Sequence, residues 1–142
     1  MELEGKVWKD KNFWLIEVPS LGLMTQGKTR KEAIEMLQDA IKETIRSYFT
    51  SLPRGFKTKV NDYGNKGVGI KTSDPKLLLA LSLIRQREES GSTVREAAMR
   101  LGSKSPNSYA QYERGKTMMS LEKYDQLLQA ANPVRHSVLR II

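Results

Sequence analysis

No cysteine occurs in this 142-residue chain. Disulfides and thiolate metal sites are therefore excluded, and the cytoplasm, a reducing compartment, is the expected location. Histidine is nearly absent too. His136 is the only one, and it stands in the tail without partners for a catalytic triad or a metal site. No apolar run reaches membrane-spanning length, and the opening MELEGKVWKD has no signal-peptide core. What remains is an ordinary globular composition, 39% apolar and 28% charged, too apolar for wholesale disorder. The length suits one large domain or two small ones. Small domains often gain stability by dimerising or by docking on a partner.

The net charge is +8. Residues 1–50 carry eight Lys/Arg and eight Asp/Glu, whereas residues 51–142 carry sixteen and eight. A one-sided excess points to a polyanion partner for the second half, but a general solubility bias would look the same without a motif.

Hydrophobic patterning gives an α+β chain. Leu3 to Trp8 and Phe13 to Val18 read as strands joined by a turn at Asp10-Lys11-Asn12. Leu23 to Gln26 is a third short strand. Thr29 and Glu32 form a capping box opening a helix whose apolar stripe is Ala33, Ile34, Leu37, Ala40, Ile41 and Ile45. Phe56 to Val60 and Val68 to Lys71 are candidate strands after it, and the domain break is placed near Thr72. Beyond it the pattern is all helical. Pro75 opens one helix, and Thr93 with Glu96 caps a second that Gly102 stops. A third runs from Ser105-Pro106 to Gly115. A fourth starts at Ser120 and is expected to bury Leu121, Tyr124, Leu127, Leu128 and Ala131. Residues 1–71 thus form one domain and 72–133 another. The apolar tail 134–142 is expected to dock on the domain or on a second subunit.

Thr93 to Gly115 has the spacing of a DNA-binding helix-turn-helix. Ala97 and Ala98 let the next helix cross closely. Tyr109 and Tyr112 should face the core, leaving Asn107, Ser108, Gln111 and Arg114 outward. Asn and Gln can bond adenine in a bidentate manner, and Arg can bond guanine or phosphate. Lys104 and Ser105 in the turn and Lys116 beyond the helix flank that face as candidate backbone contacts.

The stretch from Leu78 to Pro133 resembles the phage-repressor or Xre-type helix-turn-helix family. The resemblance rests on Arg87, Gly91, Thr93, Glu96, Ala98, Leu101-Gly102, Tyr112 to Lys116 and Ser120-Leu121. It implies a structural ion pair between Arg87 and Glu113. The chain departs from that pattern twice. Val94 stands where relatives carry a phosphate-binding glutamine, so that contact is either missing or taken over by Arg95, and the segment Gly102 to Glu113 is one residue longer than usual.

Phe13-Trp14, Val18-Pro19, Gly22, Thr25, Gly27, Thr29, Glu32-Ala33 and the following helix resemble the HicB antitoxin family. That resemblance implies a partial RNase H-like β-β-β-α-β domain, a HicA-like mRNA-cleaving toxin as protein partner, and autorepression at operator DNA by a homodimer or higher oligomer. No cofactor is implied. A stand-alone regulator with a different ligand, and an RNase H-like nuclease, are the alternatives. Two-metal nuclease chemistry needs converging carboxylates, and Asp10, Glu17, Glu35, Asp39 and Glu43 read instead as solvated acids. An enzyme is not expected. Trp8 and Trp14 are read as sheet packing or partner contact rather than base-stacking platforms.

Overall fold

The computed structural model describes residues 1–142, which divide into two compact units, Met1–Asp74 and Pro75–Ile142. The break lies at Asp74–Pro75 rather than Thr72. Ser73 is still tied into the first unit, its N–H donating to the Lys57 carbonyl at 2.9 Å and its hydroxyl accepting from the Lys57 N–H at 2.9 Å. The division also splits the charge. The first unit holds thirteen Lys/Arg against ten Asp/Glu (net +3), and the second holds eleven against six (net +5).

The first unit is β1 (Leu3–Asp10), β2 (Phe13–Val18), β3 (Leu23–Gly27), α1 (Arg30–Tyr48), β4 (Thr58–Asp62) and β5 (Val68–Thr72). They form one antiparallel sheet in the order β3-β2-β1-β5-β4. Two strands follow the helix, where the β-β-β-α-β pattern has one. β1 runs on to Asp10 because the turn needs only Lys11 and Asn12, with Lys11 at φ 55°. β4 begins two residues later than the apolar pattern indicates. A turn closes first, with the Phe56 N–H donating to the Pro53 carbonyl at 3.1 Å.

Alternation along β2 sends Ile16 and Val18 to one face, where α1 covers them. α1 buries Ala33, Leu37, Ile41 and Ile45 completely, while Ile34 and Ala40 are half-buried. Burying each of the larger three contributes about 1.5–3 kcal/mol. At the helix start the Thr29 hydroxyl accepts from the Glu32 N–H at 3.0 Å, but Glu32 reaches back to the Lys28 N–H rather than to that of Thr29. Gly27 is required there. A Cβ would lie 2.5 Å from the Ala33 nitrogen. The sheet face away from α1 keeps Trp8, Phe13 and Met24 exposed. Trp8 is therefore not core, whereas Trp14 is half-buried beneath the Arg30 guanidinium, 5.6 Å from its ring centre.

The second unit is α2 (Pro75–Ser90), α3 (Val94–Arg100), α4 (Asn107–Glu113) and α5 (Leu121–Ala131). Its core joins Leu83, Ala97, Ala98, Tyr109, Met119, Tyr124, Leu127 and Ala131. Leu121 is not part of it. At the first turn of α5 it stands 55% exposed, because the stripe proper starts at Tyr124. The Tyr124 and Ser82 hydroxyls share a buried hydrogen bond of 2.6 Å. Burial raises the Tyr124 phenol above its ordinary pKa, against the opposing effect of that bond. The orphan carbonyls ending α5 are met by neighbouring helices: Arg100 donates to Ala130 at 2.8 Å, and Ser90 donates to Ala131 at 2.7 Å. The tail does not pack on its own unit. Val134, Val138, Leu139 and Ile141 are all exposed, and Arg135 is held to Glu89 at 2.7 Å.

Candidate nucleic-acid interface

α3 and α4 owe their placement to local chemistry. The Thr93 hydroxyl accepts from the Glu96 N–H at 3.1 Å, and the Glu96 carboxylate accepts from the Thr93 N–H at 3.3 Å. This reciprocal box satisfies two orphan donors of a helix only seven residues long. Thr93→Ala is expected to lower the unfolding free energy by about 1 kcal/mol in urea denaturation; an unchanged midpoint would mean that tertiary packing alone holds α3.

Gly102 ends α3 at φ +82°. Its N–H donates to the Met99 carbonyl at 2.9 Å, and the Ser103 N–H donates to Ala98 at 3.1 Å, a Schellman ending that needs the left-handed region. The turn then closes on serines. The Ser103 hydroxyl accepts from the Ser105 N–H at 3.1 Å, and the Ser105 carbonyl accepts from the Ser108 N–H and hydroxyl at 3.2 and 2.8 Å. The three serines thus tie the turn to the start of α4.

α4 is anchored by Tyr109, which is fully buried and lies across Ala97 and Ala98 in the core cluster. Burial first, and the Glu113 carboxylate second, push its phenol far above the ordinary tyrosine value, so it remains neutral. Tyr112 packs against the same cluster while half-buried, with the Lys123 ammonium 5.4 Å from its ring centre. One residue further, Glu113 accepts from Arg87 through both oxygens, Nε at 2.6 Å and Nη2 at 3.1 Å. A third Arg87 nitrogen donates to the Ser92 carbonyl at 3.2 Å. The carboxylate's hydrogen bonds hold the Arg87 pKa above its ordinary value, so its charge is permanent.

With Tyr109, Tyr112 and Glu113 turned inward, the 100° step of the helix sends Asn107, Gln111 and Arg114 to the opposite side. Asn107 and Arg114 are exposed and Gln111 half-buried. Arg114 donates to the Asn107 side-chain carbonyl at 2.9 Å, so these two form one polar unit. Gln111, between them, makes no side-chain hydrogen bond within the protein. Ser108 does not belong to this face. It sits at its edge, half-buried, with its hydroxyl spent on Ser105. Ala110 takes a place on the flank of the face that side-chain polarity alone gives no reason to notice; only its spacing of three from Asn107 marks it.

Lys104, Ser105 and Lys116 are exposed around the ends of α4, and Arg95 is exposed on α3. Arg100 is a different case. It is held by the Ser92 hydroxyl at 2.8 Å and by the Ala130 carbonyl, and so joins helices. Between Gly102 and Thr117 the one acid is Glu113, and Arg87 neutralises it. The segment thus presents amide and guanidinium groups flanked by uncompensated lysines. The acids weighed as nuclease ligands are dispersed. Asp10 and Glu17 lie on the sheet, Glu17 paired in register with Lys6, and Glu43 is bonded to Arg46 at 3.3 Å. His136 is exposed in the tail. No helix is long and apolar enough to cross a membrane.

A family model described as a helix-turn-helix matches residues 83–139, a span that begins inside α2 and takes in α3, α4 and α5. No curated protein matches the chain at a significant level. The second unit carries a helix-turn-helix, the motif that places a helix in the DNA major groove.

Proposed function

We propose that the protein is an operator-binding repressor and antitoxin that acts as a homodimer, by binding and without catalysis of its own. The observation that carries the DNA-binding part is the two-sidedness of α4. Buried Tyr109 and the Arg87–Glu113 pair hold one side, which leaves Asn107, Gln111 and Arg114 directed outward. Gln111 and the Asn107–Arg114 unit read base edges, while Lys104, Ser105 and Lys116 contact phosphates and fix the register. One seven-residue helix reads too few base pairs alone, so two copies bind half-sites about 34–36 Å apart.

The N-terminal unit, in this proposal, is a partial RNase H-like module that neutralises a HicA-like ribonuclease by direct contact. The resemblance in Phe13-Trp14, Val18-Pro19, Gly22 to Gly27 and Glu32-Ala33 supports it, as does the strand-strand-strand-helix order in which those residues fall. The test separates the two units. Residues 1–74 should neutralise the toxin and fail to bind DNA, residues 75–142 should not bind the toxin, and the full chain with Gln111→Ala should lose its operator preference while still neutralising. Toxin binding found only in 75–142 would remove this division of labour. The absence of any such partner would leave a regulator without an antitoxin role.

A further inference from the structure

The sheet of the first unit has two edges, and they are finished differently. At the β4 edge the Val60 N–H, which points away from β5, is taken by the Gln38 side-chain oxygen at 3.2 Å. Thr58 donates to the Gln38 carbonyl at 3.4 Å, and Asp62 is gripped by Arg30 at 2.7 Å. Lys59 adds a charge. Covered donors and charged side chains are the usual means of preventing strand addition.

None of these devices is present on β3. Its sequence is LMTQG, without charge, proline or bulge. Antiparallel ladders alternate bonded and outward-facing residues. Counted from the two-residue turn at Lys11–Asn12, Leu23, Thr25 and Gly27 bond to β2, and Met24 and Gln26 turn their N–H and C=O groups outward. No side chain or backbone group of the protein meets those four groups. Beside them Met24 is 57% exposed. α1 adds a second methionine at this edge, on the other face of the sheet. Gln38 lies over β4, so Met36, two residues earlier and on the opposite flank of the helix, lies toward β3 and is 51% exposed. Ala33 on that flank takes the Thr25 hydroxyl on its carbonyl at 3.2 Å.

We infer that the β3 edge is a homodimer interface, at which a second copy adds its own β3 antiparallel to make a continuous ten-stranded sheet. A two-fold axis at Thr25 sets Met24 opposite Gln26 of the partner subunit and Gln26 opposite Met24 of the partner subunit. Four outward backbone hydrogen bonds then close, and no like charges face each other. This self-complementarity favours a second copy over a foreign strand. The closed β4 edge makes the assembly stop at two, because a head-to-tail β3-to-β4 contact, which would propagate as a filament, is blocked by Gln38. Met24, on the sheet face away from α1, and Met36, on the helix side, are unbranched and fit irregular gaps on the two faces of the seam. The inference names a surface for the two-copy assembly proposed above, and its test involves no DNA, so either can fail alone.

The test is sedimentation equilibrium of the full chain together with amide hydrogen exchange. The wild type should sediment at twice the 16.2 kDa chain mass. Met24→Lys with Gln26→Lys, which places lysines opposite lysines, should sediment at the chain mass with an unchanged far-UV spectrum. Independently of any variant, the Met24 and Gln26 amides should exchange at least about tenfold more slowly at high protein concentration than on dilution. A wild type that sediments at the chain mass would overturn the inference. So would fast exchange of those two amides in a dimer, whatever the variant does.

Discussion

Glu113→Ala should lower the stability of the helical unit by about 3 kcal/mol, near the bottom of the range for stranding one member of a buried pair. The two side chains are only 19% and 12% exposed, so removing the carboxylate leaves a guanidinium with little water to replace it. Arg87 cannot escape by losing its proton, and its remaining bond to the Ser92 carbonyl is a single neutral acceptor. Denaturant unfolding followed by far-UV circular dichroism reads the loss directly. In a unit this small a loss of that size lowers the melting temperature by more than about 10 °C. Arg87→Met combined with Glu113→Leu should recover most of it, because the cost comes from the unpaired charge and not from missing attraction. A single variant as stable as the wild type would show that the pair is solvated and that α4 is held by Tyr109 alone.

The second large effect is on sequence preference. Gln111→Ala and Asn107→Ala should each weaken the preferred site by about 1–3 kcal/mol, while binding to unrelated duplex stays nearly the same. Asn107→Ala and Arg114→Ala will not add. Arg114 bonds the Asn107 carbonyl, so removing Asn107 also releases the guanidinium, and Arg114→Ala should change preference at the base position assigned to Asn107. Competition binding with a labelled operator and unlabelled random duplex separates the two quantities. Equal losses on both kinds of DNA would place these residues among the phosphate contacts.

Much of this architecture is legible in the sequence where local chemistry decides it. Thr93 and Glu96 sit at the spacing of a capping box, and the box forms. Leu37, Ile41 and Ile45 recur at helical spacing, and all three are fully buried. The Arg87–Glu113 contact spans two helices and is visible only through family resemblance, since nothing local links residues 26 apart. What the pattern misreads are positions decided by neighbours. Ser108 is polar and looks outward, but the Ser105 carbonyl lies within reach of its hydroxyl. Leu121 fits the apolar stripe of α5 by spacing, yet it precedes the point where α5 meets its core. Strand β4 slides by two residues because a turn at Pro53–Phe56 closes before the ladder begins. The uncharged LMTQG of β3 against the charged TKVND of β4 hints at unlike edges, but the seal itself has no local signal: nothing marks Gln38 on α1 as the group that will cover the Val60 N–H.

The central claim is that the outward side of α4 reads DNA, and sequence selection tests it most directly. The wild-type chain, allowed to select from a random duplex pool, should enrich a two-fold symmetric site. Titrations with salt should then show Lys116→Ala weakening every duplex and shallowing the salt slope by about one, while Gln111→Ala erases the advantage of the selected site. A chain that enriches nothing, or a selected site that the Gln111 and Asn107 variants bind as well as the wild type, would contradict the account.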